Sequence, residues 1–450
     1  MTALYRCTLK SNLDLLSITA ALPQRYPYLL DSATPGPLGE TSLLLRAGSE
    51  QLCLHPTGRI TGPGKGDRFL PRLNDWYLKE KRETPNENGW SFGGGWFVYL
   101  GYELAAEIEP TVDFPAAEDD FPIAFATRCR AAICTRPDQP GLLHITAENP
   151  GLMDTICREI EGISISASSE NTSLTKLTED EPQKFINAVE QIHEYILDGD
   201  VFQVNLSRGW QGEFDQSVNT MGLYRSLRKS NPAPFAGLVR WGGHTLMSSS
   251  PERLAHVSRG EVQSRPIAGT HPRGSDSDSD RALSKELLAH PKERAEHIML
   301  IDLERNDLGR VCETGTVEVD ELMVVETYEH VHHIVSNVRG VLRSGVTPVD
   351  VIRAVFPGGT ITGCPKVRCM EIIAELEQSG RSFYTGSFGY LGLDGSMDLN
   401  ILIRSMLLHD KQICFRTGAG IVADSDPDTE VLETRHKARG LLRALGNQHA

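Results

Sequence analysis

Apolar and polar residues alternate along several short stretches of this 450-residue chain, which is the period of a strand with one buried face. Across residues 200–207 the alternation places Gln203 and Asn205 on the same face of a predicted strand. Further strands are predicted at residues 41–46, 142–146, 246–249, 262–267, 387–393, 399–405 and 412–417.

Longer segments carry apolar residues three and four positions apart, the spacing of one helical face. They predict helices at residues 183–197, 292–308, 365–379 and 428–445. Helices and strands do not alternate strictly along the chain, so the pattern predicts an α+β fold with large antiparallel β-sheets.

The composition of the chain changes near the end of its first third. Residues 164–182 are rich in Ser, Thr, Asn and Glu, which is typical of a linker. We therefore expect an N-terminal region over residues 1–165 and a C-terminal region over residues 178–447, with the two fused into one globular unit.

Charge and cysteine content exclude several classes of protein. The net charge of −15 argues against nucleic acid as a partner, because phosphate binding needs basic patches. The nine cysteines contain no CxxC pair, so neither a disulfide framework nor a zinc site is indicated. The first residues lack the apolar segment of a signal peptide, and no apolar run is long enough to cross a membrane. A cytoplasmic protein is expected.

A glycine-rich turn at Gly358 and Gly359 is the first candidate for chemistry. It leads into a predicted helix that carries Lys366 and Arg368, so that backbone N–H groups and positive charge could bind an anion. A purely structural turn is the commoner outcome for such a stretch. A nucleotide-binding P-loop is disfavoured, because the lysine comes too late after the last glycine.

Two pairs of glutamates are spaced three apart on predicted helices, Glu293 with Glu296 and Glu430 with Glu433. Carboxylates brought together from two helices form an all-oxygen site of the kind that binds Mg²⁺. Two solvated helix faces are the alternative, and spacing alone favours that alternative.

Other polar residues are candidates because of their type. Glu252 follows a predicted strand, His333 lies in a strand-like stretch, and Lys437 lies four residues after a glutamate. From the residues alone, a surface ion pair, a core histidine and a second surface pair are the simpler interpretations. The glycine turns at residues 265–270 and 417–422 are likewise expected to be ordinary tight turns.

Taken in order along the chain, these motifs resemble those of the chorismate-utilising enzymes. The resemblance runs from about residue 178 to residue 445 and rests on DVFQVNLS, SSPERL, RPIAGT, KERAEHIMLIDLERNDLGRV, VHHIVS, FPGGTITGCPKVRCMEII, GSFGYL, ILIR, GAGIV and ETRHKA. The family contains the large subunits of anthranilate and aminodeoxychorismate synthases, and isochorismate and salicylate synthases. The resemblance implies a fold like that of anthranilate synthase component I, with antiparallel sheets packed as a sandwich core and helices outside.

The resemblance also implies a Mg²⁺ cofactor and chorismate as the substrate. Glu296 and Glu433 match the metal ligands of the family, with Glu293 and Glu430 completing the site through waters. The residues that match substrate contacts are Gly269, Thr270, Thr360, Tyr390, Arg404, Gly420 and Lys437.

Three further residues match positions that govern catalysis in the family. Glu252 matches the general acid near the departing C4 hydroxyl, and His333 matches a neighbouring polar partner. Gln203 stands where the members that add water have a lysine base. Because a glutamine cannot take up a proton at neutral pH, the resemblance implies an enzyme that adds ammonia instead.

In this family ammonia comes from a separate glutaminase. The nucleophile of that activity is a cysteine with Gly-x-Cys-x-Gly neighbours, and none of the nine cysteines has them. A glutamine amidotransferase partner is therefore implied.

The motifs disagree on which carbon atom of chorismate is aminated. Many aminodeoxychorismate synthases have a lysine at the position of Ala268, and the neighbours of Ala268 match those of anthranilate synthases. Residues 28–33, 231–238 and 360–366 look more like the aminodeoxychorismate branch. We therefore expect amination at C4, with amination at C2 as the alternative. A non-catalytic homologue that binds chorismate is the alternative if the protein is not an enzyme.

The same comparison of branches indicates a possible tryptophan pocket. Anthranilate synthases usually read Leu-Leu-Glu-Ser at a tryptophan feedback site, where this chain has Leu30, Asp31 and Ser32 after a preceding leucine. Whether tryptophan binds there is left open by the sequence.

Overall fold

The computed structural model describes residues 4–34, 41–82, 92–164, 174–273, 276, 279–281, 283, 291–327 and 331–446, without the side chains of residues 270–272, 291–293 and 331. The helices within this part of the chain are α1 (Leu15–Ala21), α2 (Phe69–Glu80), α3 (Pro150–Glu161), α4 (Pro182–Leu197), α5 (Thr220–Ser230), α6 (Pro291–Gly309), α7 (Pro348–Val355), α8 (Lys366–Glu377) and α9 (Pro427–Ala444). Short 3₁₀ helices lie at Tyr102–Glu107 and Gly359–Ile361.

The strands are β1 (Tyr5–Lys10), β2 (Tyr28–Asp31), β3 (Ser42–Leu54), β4 (Ile60–Thr61), β5 (Gly95–Leu100), β6 (Ala124–Thr135), β7 (Leu142–Ala147), β8 (Leu174–Glu179), β9 (Gln203–Phe214), β10 (Phe235–Trp241), β11 (His244–Ser250), β12 (Arg253–Ser258), β13 (Glu261–Arg265), β14 (Ile267–Pro272), β15 (Glu318–Thr327), β16 (Val331–Val341), β17 (Gly363–Cys364), β18 (Ser387–Gly392), β19 (Met397–Asn400), β20 (Ser405–His409) and β21 (Gln412–Ile421).

The strands pair antiparallel and form one continuous network with two arms. One arm runs through β1, β7, β6, β3, β2, β10, β11, β20, β21 and β9, and β9 also pairs with β8 and β17. The other runs from β6 through β5, β18, β19, β12, β13 and β16, and β16 also pairs with β14 and β15.

The hydrophobic clusters show that the two arms pack face to face with helices outside. In β5, Trp96 and Val98 point to one cluster, shared with α2 and α7, whereas Phe97 and Tyr99 point to another. The second cluster contains residues of β2, β10, β11 and β20 from the opposite arm, so it is the core between the sheets. A further cluster packs α1, α3, α5 and α9 on the outer face of the first arm. The predicted α+β class and sandwich core are confirmed.

The four predicted helices are all present, each with ends within two residues of the predicted ones. The predicted strand at residues 399–405 is wrong, because β19 ends at Asn400 and β20 begins at Ser405. Between them Arg404 adopts a positive φ of 51°, and the main chain of Leu402 pairs with Thr385 and Gly386 instead of continuing a strand. The interruption is what places Arg404 at the site described below.

The predicted linker is also corrected in part. Residues 165–173 lie outside the described part of the chain, but β8 is a strand paired with β9. Strands from the two predicted regions pair directly, β2 with β10 and β5 with β18. The boundary between the regions stays a prediction.

No helix within the described residues combines the length and the apolar character needed to cross a bilayer.

Candidate functional site

The paired ends of β9 and β21 form one wall of the site. Gln203 is buried, and its amide nitrogen lies so close to Gly420 that a methyl group on this glycine would overlap it. Asn205 is directly opposite Gly420 in the strand register. The predicted shared face of Gln203 and Asn205 is therefore directed at the glycine-rich end of β21. The side-chain oxygens of Gln203 and Asn205 are buried and have no hydrogen-bond partner among the described residues.

The glycine turn forms the floor of the site. A Cβ on Gly359 would lie 2.5 Å from Cδ2 of Leu303 and 3.3 Å from Oε1 of Glu304, so only glycine lets the turn pack this closely on α6. The hydroxyl of Thr360, next in the chain, is buried, forms no hydrogen bond of good geometry within the described structure, and lies close enough to the Glu252 carboxyl to lower its pKa. The turn therefore presents a hydroxyl group that is available to a ligand.

The positive charges near this turn do not form the anion cradle that the sequence suggested. Lys366 pairs with Asp307 and also donates to the carbonyl of Val355 at 3.3 Å. Arg368 forms ion pairs with Asp200 at 2.7 Å and with Glu371 at 2.8 Å. Both cations are neutralised within the protein, so the anion-binding group of the site must come from elsewhere.

Glu252 is the buried acid of the site. Its main chain is fixed between β11 and β12, since its N–H donates to Oγ of Ser250 at 3.2 Å and its carbonyl accepts from Ile401 at 3.0 Å. Burial raises the pKa of the Glu252 carboxyl to about 7. The charge of Glu304 also raises this pKa, whereas the Thr360 hydroxyl and the Arg404 guanidinium lower it. Glu252 can therefore hold a proton at neutral pH and release it to a ligand.

Arg404 supplies the cation. Its carbonyl oxygen accepts from the N–H and Oγ of Ser249, each at 3.1 Å, which holds the turn at its positive φ. Burial lowers the pKa of the guanidinium, and the nearby Glu252 opposes that effect. Among the described residues the Arg404 side chain forms no ion pair, so it is placed to bind a carboxylate of a ligand.

His333 lies beside these groups on β16. Burial lowers its pKa to about 3, Arg404 lowers it further, and the main chain of Gly269 opposes the shift. The ring is therefore neutral at pH 7. Gly269 has a φ of 74° at a bulge in β14, a conformation that favours glycine. The side chain of Thr270 lies outside the described part of the structure.

The glutamates predicted to bind metal lie on α6 and α9. Glu430 is buried, and Glu296 and Glu433 are half-buried, while the side chain of Glu293 is not among those described. The carboxylates of Glu296, Glu430 and Glu433 do not all approach within 4.8 Å of one another. Oε1 of Glu433 lies instead 2.6 Å from Nζ of Lys437. The donor set is still all oxygen, which fits Mg²⁺.

Tyr390, predicted to contact the substrate, is buried on β18 and faces the core. Its ring packs edge-on against Phe92, 5.7 Å between centroids, in the core between the sheets. A second tyrosine, Tyr384, lies near the glycine-rich end of β21, with its hydroxyl 2.8 Å from where a Cβ on Gly418 would be. Lys437 donates to the carbonyl of the same glycine at 3.1 Å. The sequence gives no periodic signal that distinguishes the two tyrosines.

Glu304 is a buried carboxyl near the glycine turn that was not among the candidates from the sequence. It is buried on α6, where its Oε2 accepts from Oγ of Ser264 at 2.6 Å, and burial raises its pKa to about 7. It lies on the same helical face as the buried His297, Ile301 and Leu308. A carboxylate on an apolar helix face is a signal that the sequence does contain.

Asp31, which the sequence places at a possible tryptophan pocket, is held by internal contacts. Its carboxylate accepts from the hydroxyl of Tyr224 at 3.0 Å, from Arg228 at 3.3 Å and from Ser42 at 3.2 Å. Ser32 donates through its N–H to Ser42 at 3.0 Å. Leu30 is half-buried and contacts the cluster between the sheets.

An α+β sandwich with a buried acid, glutamates on α6 and α9, and a cation that forms no ion pair among the described residues is consistent with an enzyme that acts on a small anionic substrate. Residues 40–443 match the family described as chorismate binding enzyme. The chain belongs to this family, as the motifs predicted.

Its relatives come from two branches of that family. Over 407 aligned residues the chain is 40% identical to aminodeoxychorismate synthase component 1 of Bacillus subtilis, covering 86% of this chain and 85% of the relative. Over 457 aligned residues it is 37% identical to anthranilate synthase component 1 of Neisseria gonorrhoeae, covering 95% and 92%. The chain is a chorismate-utilising enzyme of the anthranilate and aminodeoxychorismate synthase class.

Solved structures agree with this assignment. Anthranilate synthase component I from Streptococcus pneumoniae superposes with a TM-score of 0.78 at 30% identity, covering 89% of this chain and 91% of that one. The isochorismate synthase MenF from Escherichia coli has a TM-score of 0.74 at 19% identity, covering 99% and 95%, and shares the fold.

Proposed function

We propose that this chain is component I of an aminodeoxychorismate synthase. It replaces the C4 hydroxyl of chorismate with ammonia and gives 4-amino-4-deoxychorismate, for p-aminobenzoate and folate synthesis. The observation that carries the proposal is the buried Glu252 beside Arg404. Hydroxide is a poor leaving group, so its departure needs a proton donor, and Glu252 has a pKa of about 7 for this task.

Gln203 supports ammonia as the nucleophile. A water nucleophile needs a base to remove its proton, whereas ammonia attacks through its own lone pair. The amide of Gln203 accepts no proton at neutral pH, but its buried oxygen, which has no partner within the described residues, can accept a hydrogen bond from ammonia. Gln203 would thus position the nucleophile without activating water.

Mg²⁺ is the proposed cofactor, held by Glu296 and Glu433 with Glu430 and Glu293 beside them. When bound, the ion would neutralise the negative charge that these glutamates and the substrate carboxylate bring together. Arg404, Tyr384 and Lys437 would contribute the remaining contacts to the carboxylates of chorismate.

Amination at C4 is favoured by residues 28–33, 231–238 and 360–366, which look more like the aminodeoxychorismate branch. The similarity to the Bacillus subtilis aminodeoxychorismate synthase over most of both chains supports the same branch.

Anthranilate synthase component I is the second candidate, and Ala268 favours it. Ala268 is buried in β14 opposite Ile334 and offers no nucleophile that could attack C2 of chorismate. C4 amination would then proceed through addition of ammonia or water at C2, or by direct displacement. The similarity to anthranilate synthases, 37% over nearly the whole chain, keeps this candidate open.

A coupled assay separates the two candidates. The purified chain is incubated with chorismate, Mg²⁺ and an ammonium salt, with and without an aminodeoxychorismate lyase. p-Aminobenzoate that forms only with the lyase supports the proposal. Fluorescent anthranilate, released together with pyruvate in the absence of the lyase, would favour the second candidate.

A glutamine amidotransferase is the proposed partner, since no cysteine of this chain has the neighbours of a glutaminase nucleophile. The isolated chain should turn over chorismate with ammonium salts but not with glutamine. Glutamine-dependent turnover by the chain alone would contradict this assignment.

A further inference from the structure

Two histidines lie side by side at one end of the first sheet arm, on β11 and β20 rather than among the residues assigned above. His244 begins β11 and His409 ends β20, and the two are directly opposite each other in the strand register. Each is next to a two-residue hairpin turn, Gly242-Gly243 in one case and Asp410-Lys411 in the other. Adjacent strands and tight turns fix the separation of the two main chains.

Asp120 joins this pair from the segment that leads into β6. The ligand atoms of Asp120, His244 and His409 all lie within 4.8 Å of one another. Oδ1 of Asp120 is 2.8 Å from Nε2 of His244 and 3.8 Å from Nδ1 of His409. The two rings stack with centroids 3.9 Å apart. His409 is 43% exposed, so its ring can turn toward a shared ligand without disturbing the core.

The buried ring of His244 makes this cluster more than a surface ion pair. Its side chain is only 5% exposed and packs against Phe121, with centroids 5.3 Å apart. Neither ring nitrogen has a hydrogen bond of acceptable geometry within the described structure, despite the short distance to Asp120. A buried polar group without a hydrogen bond is destabilising. A bound metal ion would satisfy one of these nitrogens.

We propose that Asp120, His244 and His409 bind a first-row transition metal ion such as Zn²⁺, at a site separate from the catalytic glutamates. Two imidazoles and one carboxylate suit Zn²⁺, with water in the fourth position, whereas Mg²⁺ prefers oxygen ligands. The ion would join three segments that are far apart in sequence.

The metal would fasten the segment that carries Asp120 to the sheet. In the same segment the carbonyl of Ala116 accepts from the N–H of Gly380 at 3.2 Å, just before the turn that carries Tyr384. Because the ion binds only the folded chain at this geometry, it should raise thermal stability.

The test is a calorimetric titration of tag-free, full-length protein with Zn²⁺ in excess Mg²⁺, which keeps the catalytic glutamates occupied. We expect one Zn²⁺ per chain. Loss of a partner that merely orients a metal ligand costs about 10- to 100-fold in affinity, so Asp120→Asn and His409→Gln should each weaken binding at least about tenfold. Both residues are accessible, so these variants should fold. His193→Gln, on α4 and outside the cluster, is the control and should bind like the wild type.

Thermal melting gives a second readout that is independent of activity. Zn²⁺ should raise the midpoint of the wild type and of His193→Gln, but not that of Asp120→Asn or His409→Gln. The proposal is overturned if the protein binds no Zn²⁺, if excess Mg²⁺ displaces it, or if the two cluster variants bind it as well as the control.

Discussion

Nζ of Lys437 lies 2.6 Å from Oε1 of Glu433 and also donates to the carbonyl of Gly418 at 3.1 Å. This lysine therefore links the helix that carries two of the proposed metal ligands to the glycine-rich strand beside Gln203. The charge of the Glu433 carboxylate is neutralised by Lys437. A metal ion that bound to Glu433 would compete with this ion pair.

The metal assignment predicts that Glu433→Gln loses activity because one anionic oxygen ligand is removed. With several kcal/mol of charge stabilisation attributed to a bound metal, kcat should fall about 100-fold or more. The measurement is chorismate consumption at rising Mg²⁺ concentration. Glu375→Gln, an exposed glutamate on α8, is the matched control and should keep wild-type activity. Wild-type turnover by Glu433→Gln, or by the parent protein after EDTA treatment, would refute the assignment.

Glu252→Gln should lower kcat by about 10²- to 10⁴-fold, since it removes the proton donor and keeps the volume of the side chain. In the wild type, the acid acts only when protonated, and burial holds its pKa at about 7. The value of kcat/KM should therefore fall as pH rises through about 7, and this limb of the profile should vanish in Glu252→Gln. Glu261→Gln, on the neighbouring strand β13, should retain it. An unchanged profile in Glu252→Gln would exclude the role.

Gln203→Lys should gain formation of isochorismate. A lysine at this buried position has a lowered pKa, so a fraction of it is neutral and can activate water. Chromatography of the products should show little isochorismate from the wild type with ammonia present and more from the variant. Gln203→Met, which fills the space without a base, should show none of the gain. Isochorismate as the main wild-type product would contradict the amination assignment.

A stability prediction concerns Glu377, the last residue of α8. Burial alone would raise its pKa, but Arg381 and Arg416 hold the pKa of this carboxyl below its usual value. Arg381 is 1% exposed and donates to Glu377 at 2.6 and 3.0 Å and to the carbonyls of Ile361 and Asn205.

Glu377→Gln leaves these cations without their anion, so the free energy of unfolding should fall by about 3–5 kcal/mol. Urea denaturation measures it. The control is Asp138→Asn, which breaks the exposed ion pair with Arg136 and should cost less than about 1 kcal/mol. Equal losses of unfolding free energy in the two variants would show that the buried ion pairs of Glu377 contribute no more to stability than an exposed ion pair.

The strands and helices that carry the site could be predicted where the spacing of apolar and polar residues matched a strand or a helix. The alternation at residues 200–207 placed Gln203 and Asn205 on one face, and the structure directs that face at Gly420. Helical spacing placed the glutamates on α6 and α9 in the same way.

The site residues on turns could not be predicted in this manner. Tyr384 lies between Ser382 and Thr385, which both have a positive φ, and tertiary contacts set the backbone of this turn. The carboxylate of Glu103, far away in sequence, accepts from the N–H groups of Arg381 and Ser382 and helps to hold this path. No local pattern encodes such a contact, so the position of Tyr384 beside Gly418 could not be predicted from the sequence.

The position at which ammonia enters chorismate distinguishes amination at C4 from amination at C2. The chain is incubated with chorismate, Mg²⁺ and ¹⁵N-ammonium, and the product is examined by NMR. We predict ¹⁵N bound to C4 of a product that retains its enolpyruvyl group. Label at C2 of an aromatic ring, with pyruvate released, would contradict this prediction.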